Sequence, residues 1–320
     1  MIATVPGGPD VLTRRAITPP APGPGEIMIR QTAIGLNYID VYFRQGLYPW
    51  PQGDGLILGS EGAGVVEALG AGVTGLTLGQ RVAYAVTNGA YATHRLIPAA
   101  QAVALPDDIA DEVAAAVMLK GLTVHYLIHH SHAVTAGDTV LFHAAAGGVG
   151  LLAGQWLAEK GVRAIGTAGG PQKCALARAH GYDAVIDSRA EDVVGRVMDL
   201  TGGAGVAAAY DSVGADTILG SVAVLARFGT LVSFGQSSGA PEALRVSHLA
   251  RASLRLTRPS LFHHSASPGW LARAAGDLFG VIRSGAVQVC IGAHWPLDQV
   301  AQAHGALEAR ATTGSTVLIP

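Results

Sequence analysis

The spacing of apolar residues changes character twice along the chain. Up to about Pro106, short apolar runs are separated by Gly and Pro turns, which predicts strands. Residues 107–132 then place apolar side chains at helical spacing, and Asp107 and Asp108 suit a helix start. The pattern predicts a compact, partly closed β domain followed by a helix. The predicted strands of that domain include Glu26–Gln31, Gly62–Leu69, Arg81–Ala85 and Tyr91–Ile97.

From Thr139 onwards, strand-like and helix-like segments alternate. Strands joined by helices form parallel sheets, so this alternation predicts an α/β fold with a doubly wound parallel sheet of the Rossmann type. The predicted strands of the sheet are Thr139–Ala144, Val162–Thr167, Ala184–Asp187, Val206–Asp211, Gly229–Phe234 and Leu254–Thr257.

The chain after Pro259 predicts elements that do not continue this alternation. They are a helix over about Pro268–Ser284, a strand near Val287–Gly292, a further helix and a terminal strand, Ser315–Ile319. We expect these elements to return to the first domain.

The first strand of the predicted sheet leads into a glycine-rich turn. Dinucleotide-binding turns read Gly-x-Gly-x-x-Gly, and this chain has Ala145, Gly147 and Gly150 at the three positions. Gly147 lets the backbone approach a pyrophosphate, and Gly150 lets the following helix pack closely on the strand. Ala145 can make the tight turn only if its φ stays negative. The turn is preceded by a predicted strand, and it is followed by a predicted helix and a second strand at the spacing of a βαβ unit. This context predicts dinucleotide binding at the helix N-terminus.

The end of the second strand indicates which dinucleotide is bound. NAD sites place a carboxylate there to accept a hydrogen bond from the ribose 2′-hydroxyl. This chain instead reads Thr167-Ala168-Gly169-Gly170, without an acid, and Lys173 follows. The missing carboxylate removes repulsion against a 2′-phosphate and the ammonium attracts it, which favours NADPH.

Composition and charge exclude several classes of protein. The 320 residues are enough for two domains, and 43 glycines with only 14% charged residues are typical of a globular enzyme. The net charge of −2 without a basic block argues against nucleic-acid or anionic-membrane partners. Two cysteines are too few for a disulfide framework, and neither a signal peptide nor a membrane span is recognisable. We therefore expect a cytoplasmic protein.

Several short motifs together resemble one known family. The chain is similar, over essentially its whole length, to the zinc-independent NADPH:quinone oxidoreductases (zeta-crystallin-like) of the medium-chain dehydrogenase/reductase superfamily. The motifs that carry this resemblance are Gly35-Leu-Asn-Tyr-Ile-Asp40, Gly46-Leu-Tyr-Pro49, Leu119-Lys-Gly-Leu-Thr123, His143-Ala-Ala-Ala-Gly-Gly-Val-Gly150, Tyr210-Asp-Ser-Val-Gly214, Ser233-Phe-Gly235, Thr257-Arg-Pro-Ser-Leu261 and Glu308-Ala-Arg-Ala-Thr-Thr-Gly314.

The resemblance implies a domain plan and an activity. A GroES-like, partly closed β-barrel domain for substrate would comprise residues 1–118 and 261–320, and a Rossmann domain for NADPH residues 119–260. Family members reduce quinones with NADPH, by transfer of a hydride or of single electrons, without metal or flavin, and dimers are usual. Two alternatives stay open: NADPH-dependent reduction of an alkenal or enone C=C bond on the same scaffold, and an NADPH-binding sensor or RNA-binding protein without catalysis.

The same comparison bears on metal binding. Zinc-dependent relatives carry catalytic zinc ligands where this chain has Asn37 and Ser60, and neither side chain replaces thiolate or imidazole on Zn²⁺. We therefore expect no metal. His125, His129, His130 and His132 invite a metal interpretation, but we favour exposed histidines at a helix end. His263 and His264 are expected in a loop.

The resemblance also implies roles for individual residues. Asn37 and Tyr42 would line the nicotinamide and substrate pocket, with Tyr48 near its mouth. Ser188 stands where relatives often have a Tyr at the 2′-phosphate, which would weaken the preference for NADPH. The implied cofactor-binding residues are Lys120, Thr123, Tyr126, Gly147, Gly148, Val149, Gly150, Lys173, Ser188, Ser212, Phe234, Gly235 and Arg310.

The expected chemistry asks little of the side chains. A quinone is already electrophilic, so orientation against the nicotinamide permits reduction. Charge that develops on the quinone oxygen would be stabilised by the Asn37 amide or the Tyr42 hydroxyl, and water would supply a proton. A homodimer would pair through edge strands near Leu231–Phe234 or Leu254–Thr257.

Overall fold

A computed structural model describes residues 1–50 and 53–320 of the chain. The strands in chain order are β1 (Ile2–Ala3), β2 (Glu26–Leu36), β3 (Leu56–Ile57), β4 (Glu61–Leu69), β5 (Arg81–Ala85), β6 (His94–Pro98), β7 (Ala102–Ala104), β8 (Thr139–Phe142), β9 (Arg163–Ala168), β10 (Ala184–Asp187), β11 (Val206–Asp211), β12 (Leu225–Ser233), β13 (Arg255–Thr257), β14 (Ile291–Pro296) and β15 (Ser315–Ile319).

The α-helices are α1 (Tyr38–Arg44), α2 (Asp111–Tyr126), α3 (Gly148–Glu159), α4 (Pro171–Arg178), α5 (Val193–Leu200), α6 (Ile218–Ala223), α7 (Leu261–Ser265), α8 (Trp270–Arg283) and α9 (Val300–Glu308). Short 3-10 turns cover Pro9–Val11, Ala99–Gln101, Val246–Ala252 and Leu297–Gln299, and a π-helical turn, Leu127–Ser131, extends α2. No helix within the described ranges is long and apolar enough to cross a membrane.

The chain divides into two compact units. Unit 1 comprises Met1–Lys120, Ser265–Phe279 and Val289–Pro320, and unit 2 comprises Gly121–His264 and Gly280–Gln288. In unit 1 the main sheet has the order β14-β15-β2-β4-β5-β7, and β6 also pairs with β2. The pairings of β2, β4, β5, β6 and β7 are antiparallel, whereas β14 and β15 are parallel.

The core of unit 1 is formed by large apolar and aromatic side chains of its strands and loops. In β2, Ile27, Ile29 and Ile34 are completely buried, together with Tyr84 and Tyr91 from elsewhere in the unit. Branched side chains fit the half-buried face of a pleated sheet, and their burial supplies most of the drive to fold.

Unit 2 is built on a parallel sheet of six strands, as predicted. Its order is β10-β9-β8-β11-β12-β13, and each pair of neighbouring strands is parallel. Buried Leu141, Ile165, Ile186, Ala209 and Leu231 come from successive strands and form one core. The order reverses between β8 and β11, and ligands of such sheets bind outside the carboxyl ends of the strands at this point.

Some predicted element boundaries are wrong for identifiable reasons. The helix predicted over 107–132 begins only at Asp111, because the Ile109 amide closes a turn on the Pro106 carbonyl. The strand predicted at Tyr91–Ile97 begins at His94, because the carbonyls of residues 90 and 92 accept hydrogen bonds from the Gln31 side chain.

Further corrections concern the C-terminal part and the sheet edge. The strand predicted near Val287–Gly292 begins at Ile291, because Val287 completes the turn after α8. His263 and His264 lie in helix α7 and not in a loop. Two segments were expected to pair as edge strands in a dimer. Residues 231–233 belong to β12, which lies between β11 and β13 and is therefore not an edge strand. Strand β13, in the second segment, is an edge strand.

Candidate functional site

The glycine-rich turn of unit 2 connects β8 to α3. Ala144 has a left-handed backbone conformation, with φ 54°. The backbone N–H of the next residue, Ala145, donates to the Thr167 carbonyl at 2.9 Å. The turn closes through Gly147 N–H to the Ala144 carbonyl at 3.0 Å. The prediction that Ala145 keeps a negative φ is therefore consistent with the structure, and the strained residue lies one position earlier.

Glycine at position 150 permits a close approach of helix and turn. A methyl group added there would lie 2.4 Å from the Ala144 carbonyl oxygen. Gly147 is the N-cap of α3, and Gly148, Val149 and Gly150 form its first turn. The first amides of a helix have no partner within it, so this backbone suits the oxygens of a pyrophosphate. The turn thus fits a dinucleotide.

A buried polar chain lies behind this turn and was not predicted from the sequence. His143 contacts Thr167 Oγ1 through Nδ1 at 3.0 Å and Ser221 Oγ through Nε2 at 2.9 Å. Ser221 in turn donates to Asp211 at 2.7 Å, and Asp211 also accepts from the Thr217 hydroxyl at 2.8 Å. Burial lowers the pKa of His143, so it stays neutral and fixes the ends of β8, β9 and β11.

The end of β9 is joined to the end of β10 by one carboxylate. Asp187 Oδ1 accepts from the amides of Gly170 at 2.9 Å and Arg189 at 3.0 Å. These bonds hold the pKa of Asp187 below its ordinary value. Lys173 lies in the first turn of α4, and Ser188 directs its hydroxyl to the Ala168 carbonyl at 3.3 Å. The end of β9 therefore leads into a helix with Lys173 in its first turn, whereas Asp187, the acid at the end of β10, accepts from backbone amides.

The ends of β11 and β12 approach each other at the predicted cofactor-binding residues. A methyl group added to Gly235 would lie 2.6 Å from the Ser212 carbonyl oxygen. Phe234 lies 5.8 Å from Phe142 between ring centres, and Arg258 donates to the Gly235 carbonyl at 3.1 Å. Ser212, Phe234 and Gly235 are therefore brought together at the carboxyl end of the sheet.

In unit 1, Asn37 caps helix α1 and is buried. Its backbone N–H donates to the Asp40 carboxylate at 3.0 Å, and its side-chain Nδ2 donates to Glu61 Oε1 at 2.8 Å. Glu61 also accepts from the Leu119 amide at 2.6 Å and forms an ion pair with Lys120. The structure thus brings Asn37 and Lys120 together on one fully buried carboxylate.

A second buried network begins at the same cap. Asp40 accepts from Ser60 Oγ at 2.8 Å and from the Tyr91 hydroxyl at 2.9 Å. Tyr91 also meets His304 Nε2 at 2.9 Å, and His304 Nδ1 meets Arg44 at 2.9 Å. Burial raises the pKa of Asp40 to about 6, and burial together with Arg44 lowers that of His304 to about 3.

The two predicted pocket tyrosines of unit 1 lie in one aromatic cluster. The ring centres of Tyr42 and Tyr48 are 5.5 Å apart in an edge-on arrangement, and Tyr38 lies 6.0 Å from Tyr42. Tyr42 is 6% exposed, whereas Tyr48 is only partly buried. The cluster has an apolar surface and a hydroxyl at each ring, which suits an aromatic substrate.

The remaining predicted contacts lie on α2 and after α9. Thr123 and Tyr126 are buried, and the Tyr126 ring stacks on His264 at 4.8 Å. Arg310 has φ 55° and closes the end of α9 through its amide on the Leu307 carbonyl at 3.0 Å.

The histidines at the end of α2 differ in part from expectation. His125 is buried, with its ring 4.6 Å from His129 and 5.9 Å from Trp156, so it is not an exposed residue. Within residues 1–50 and 53–320, no group of three His, Cys, Asp or Glu side chains is arranged to hold a metal ion.

Comparison with known proteins agrees with this architecture. Residues 23–107 match the model of the alcohol dehydrogenase GroES-like domain, and residues 148–274 match that of the zinc-binding dehydrogenases. A quinone oxidoreductase of Pseudomonas aeruginosa is 48% identical over 98% of this chain and 97% of its own length. A 2-haloacrylate reductase of a Burkholderia species is 38% identical over 98% and 96%.

Among solved structures, the quinone oxidoreductase of Escherichia coli complexed with NADPH superposes with a TM-score of 0.97. It is 44% identical, and the match covers 100% of this chain and 99% of that one. The shared domains and this full-length identity establish that the chain belongs to the quinone oxidoreductase family of the medium-chain dehydrogenases/reductases.

Proposed function

We propose that this protein reduces quinones with NADPH. The observation that carries the proposal is full-length identity of 44–48% to three quinone oxidoreductases. The dinucleotide turn supports it, because Gly147 and Gly150 leave the α3 N-terminus open to a pyrophosphate. The absence of a carboxylate from the end of β9 and the presence of Lys173 favour the 2′-phosphate of NADPH.

We further propose the roles of the site residues. The pyrophosphate would be held by the backbone at residues 147–150, and the 2′-phosphate by Lys173 and Arg310. Lys120, Thr123 and Tyr126 would contact the cofactor from α2, and Ser212, Phe234 and Gly235 from the strand ends. Tyr48 would lie at the mouth of the substrate pocket. These assignments rest on family motifs, and the local geometry of each unit is compatible with them.

NADPH supplies the reducing electrons when it is bound, and the protein positions the acceptor. Asn37 Nδ2 points at Glu61 and, at 3.4 Å, at the Gly35 carbonyl. These two acceptors engage the N–H groups that Asn37 could offer to a substrate. We therefore infer that Asn37 mainly shapes the pocket. The Tyr42 hydroxyl, on the aromatic cluster of unit 1, is the second candidate to donate a hydrogen bond to the developing quinone oxyanion.

We also propose that the reaction needs no zinc, although one matched family model is that of zinc-binding dehydrogenases. The positions of the catalytic zinc ligands carry Asn37 and Ser60, whose amide and hydroxyl donate to Glu61 and Asp40. Neither residue type offers the thiolate or imidazole that Zn²⁺ prefers.

A homodimer in the cytoplasm, without nucleic-acid partners, completes the proposal. Strand β13 is an edge strand of unit 2, and Leu256 on it is 42% exposed, which supports pairing through this edge. Light scattering of the purified protein tests the dimer. A monomeric mass at micromolar concentration would contradict it.

The test of function is NADPH oxidation by chelator-treated, flavin-free protein. 1,4-Benzoquinone, 9,10-phenanthrenequinone, an α,β-unsaturated aldehyde and 2-chloroacrylate would be supplied separately. We expect turnover with the quinones and little with the other two acceptors. Loss of activity after chelation, restored by zinc, would contradict the metal-free mechanism.

A second candidate is reduction of an activated C=C bond. It is favoured by the 38% identity to a 2-haloacrylate reductase, because a haloacrylate is such an alkene. Turnover mainly with 2-chloroacrylate or the aldehyde would establish this candidate. Tight NADPH binding without turnover on any of the four acceptors would support a non-catalytic, NADPH-sensing role.

A further inference from the structure

An arginine that neither the sequence pattern nor the family motifs single out lies over the end of β9. A methyl group added to Gly169 would be 3.0 Å from Arg189 Nε and 3.5 Å from its guanidinium carbon. The corresponding point on Gly170 lies 3.9 Å from one of its terminal nitrogens. The guanidinium therefore covers the two glycines at which the ribose of a dinucleotide is recognised in this type of sheet.

This arginine differs from its neighbours in what it contacts. Arg178 donates to the Val185 carbonyl at 2.9 Å, and Arg196 pairs with Glu191 at 3.1 Å. The Arg189 backbone amide donates to Asp187, and the Arg189 charge helps to lower the pKa of that carboxyl. Among the described residues, however, its guanidinium makes no hydrogen bond or close ion pair. Its five N–H donors are thus available on an exposed surface.

Two nearby groups make Arg189 more suitable for an anion than its position alone implies. Asp187 directs Oδ1 to the Gly170 and Arg189 amides and so fixes the loop that carries the arginine. Ser188 turns its hydroxyl toward the Ala168 carbonyl, so it does not replace the Tyr that relatives often carry there. A planar, charged fork over Gly169 and Gly170, just before the helix that carries Lys173, can supply the missing contact.

We propose that Arg189 binds the 2′-phosphate of NADPH and, with Lys173, sets the preference for NADPH over NADH. The inference rests on the proposed use of NADPH and adds to it the residue that compensates for the short side chain at position 188. Because a methyl group at Gly169 would lie only 3.0 Å from Arg189 Nε, a larger residue at this glycine would displace the guanidinium.

The test measures binding of 2′,5′-ADP and 5′-AMP by calorimetry at low ionic strength, which requires no turnover. For Arg189→Ala we expect the Kd of 2′,5′-ADP to rise about tenfold, while that of 5′-AMP stays unchanged. Arg189→Lys should give an intermediate Kd, because the charge remains but the fork is lost. Arg196→Ala is the matched control, since it also removes one exposed arginine from unit 2.

The outcomes separate this inference from the proposed function. If the unmodified protein prefers 2′,5′-ADP and Arg189→Ala changes its Kd no more than Arg196→Ala does, the role of Arg189 is wrong while NADPH use stands. An equal loss of affinity for 5′-AMP would also overturn that role. If the unmodified protein binds both nucleotides equally, both the inference and the preference for NADPH fail.

Discussion

Individual residues in unit 1 act through shared acceptors. Asn37, Leu119 and Lys120 all donate to Glu61, and Ser60 and Tyr91 both donate to Asp40. Burial makes an unpaired charge costly, so each carboxylate stabilises the fold only while its donors remain in place. The loss of one partner therefore has a larger effect than its single hydrogen bond suggests.

The Glu61–Lys120 pair gives the first prediction. Glu61→Gln leaves a buried ammonium, and Lys120→Met leaves a buried carboxylate, so each should lower the free energy of unfolding by about 3 kcal/mol. The double variant should lose less than the sum, because neither charge remains. Urea unfolding of the four proteins measures this coupling, and additive losses would show that the pair is not energetically coupled.

The titration of His304 gives the second prediction. Its pKa of about 3 lies below the ordinary 6.5, so between these values the unfolded chain binds a proton that the folded chain does not. Stability from this group is therefore lost as the pH falls below 6.5, by about 1.4 kcal/mol per pH unit. Asp40, with a pKa of about 6 against 3.8, acts in the opposite direction between those two values.

His304→Gln should remove only the histidine contribution. We expect the variant to be less stable than the parent at pH 7 but to gain relative to it on acidification to pH 4. Urea unfolding at several pH values measures the difference. Parallel pH profiles would show that the pKa of His304 is the same in the folded and the unfolded chain.

The Tyr42 hydroxyl gives the third prediction. Orientation of the acceptor supplies most of the rate enhancement, so Tyr42→Phe should lower kcat for 1,4-benzoquinone less than tenfold. The aromatic contact with Tyr48 is kept in this variant, which separates the hydroxyl from the packing. A hundredfold loss with an unchanged circular dichroism spectrum would instead make the hydroxyl indispensable.

Among the secondary-structure elements, the β8–α3 turn combines two constraints. Gly150 must be small because α3 approaches the turn, whereas Ala144 tolerates a left-handed conformation that glycine adopts more readily. The turn is anchored by the buried chain through His143, Ser221 and Asp211. The strained conformation of Ala144 is therefore maintained by packing and by the hydrogen bonds of these buried side chains behind the turn.

Relief of that strain gives the fourth prediction. Ala144→Gly should raise the free energy of unfolding by up to about 1 kcal/mol, because relief of the left-handed conformation exceeds the entropy cost of glycine. The same substitution at exposed Ala158 in α3 is the control, and it should destabilise by about 1 kcal/mol. Equal destabilisation by both in thermal unfolding would show that Ala144 is unstrained.

The elements themselves were largely predictable from apolar spacing, and the reason is physical. Strands of unit 2 such as Ala184–Asp187 and Val206–Asp211 are short apolar runs bounded by turns, and they were predicted at their observed bounds. The predicted boundaries were wrong where a side chain or a local turn bonds the backbone groups that the strand or helix would otherwise pair. The Gln31 side chain does this next to β6. Such a bond joins residues 59 positions apart, so no local pattern shows it.

At the scale of the whole molecule, the Rossmann architecture could be predicted with more certainty than the contacts of its site. The strand order follows from alternation and handedness, which are properties of the chain. The position of Arg189 over Gly169 depends on the loop after β10 folding back to β9, which hydrogen bonds of Asp187 and Ser188 specify. The family motifs pointed to Lys173 and left this arginine unassigned.

Cofactor binding gives the fifth prediction. A ligand that binds only the folded state adds about 2.7 kcal/mol at a hundred times its Kd, which corresponds to a rise in Tm of about 5 °C. We expect this rise with NADPH and a smaller one with NADH at the same concentration. Equal rises with both would contradict the cofactor preference, independently of any acceptor.

The position of Asp187 limits how this protein could be redesigned. An engineer who wished to convert it to NADH would first consider the acid already present near the ribose. Asp187 is unsuitable, because a rotation of its side chain toward the ribose would break its hydrogen bonds to the Gly170 and Arg189 amides. The loop after β10 would then lose the contacts that hold it. A new carboxylate would have to be introduced on β9 itself, with Arg189 replaced in the same step.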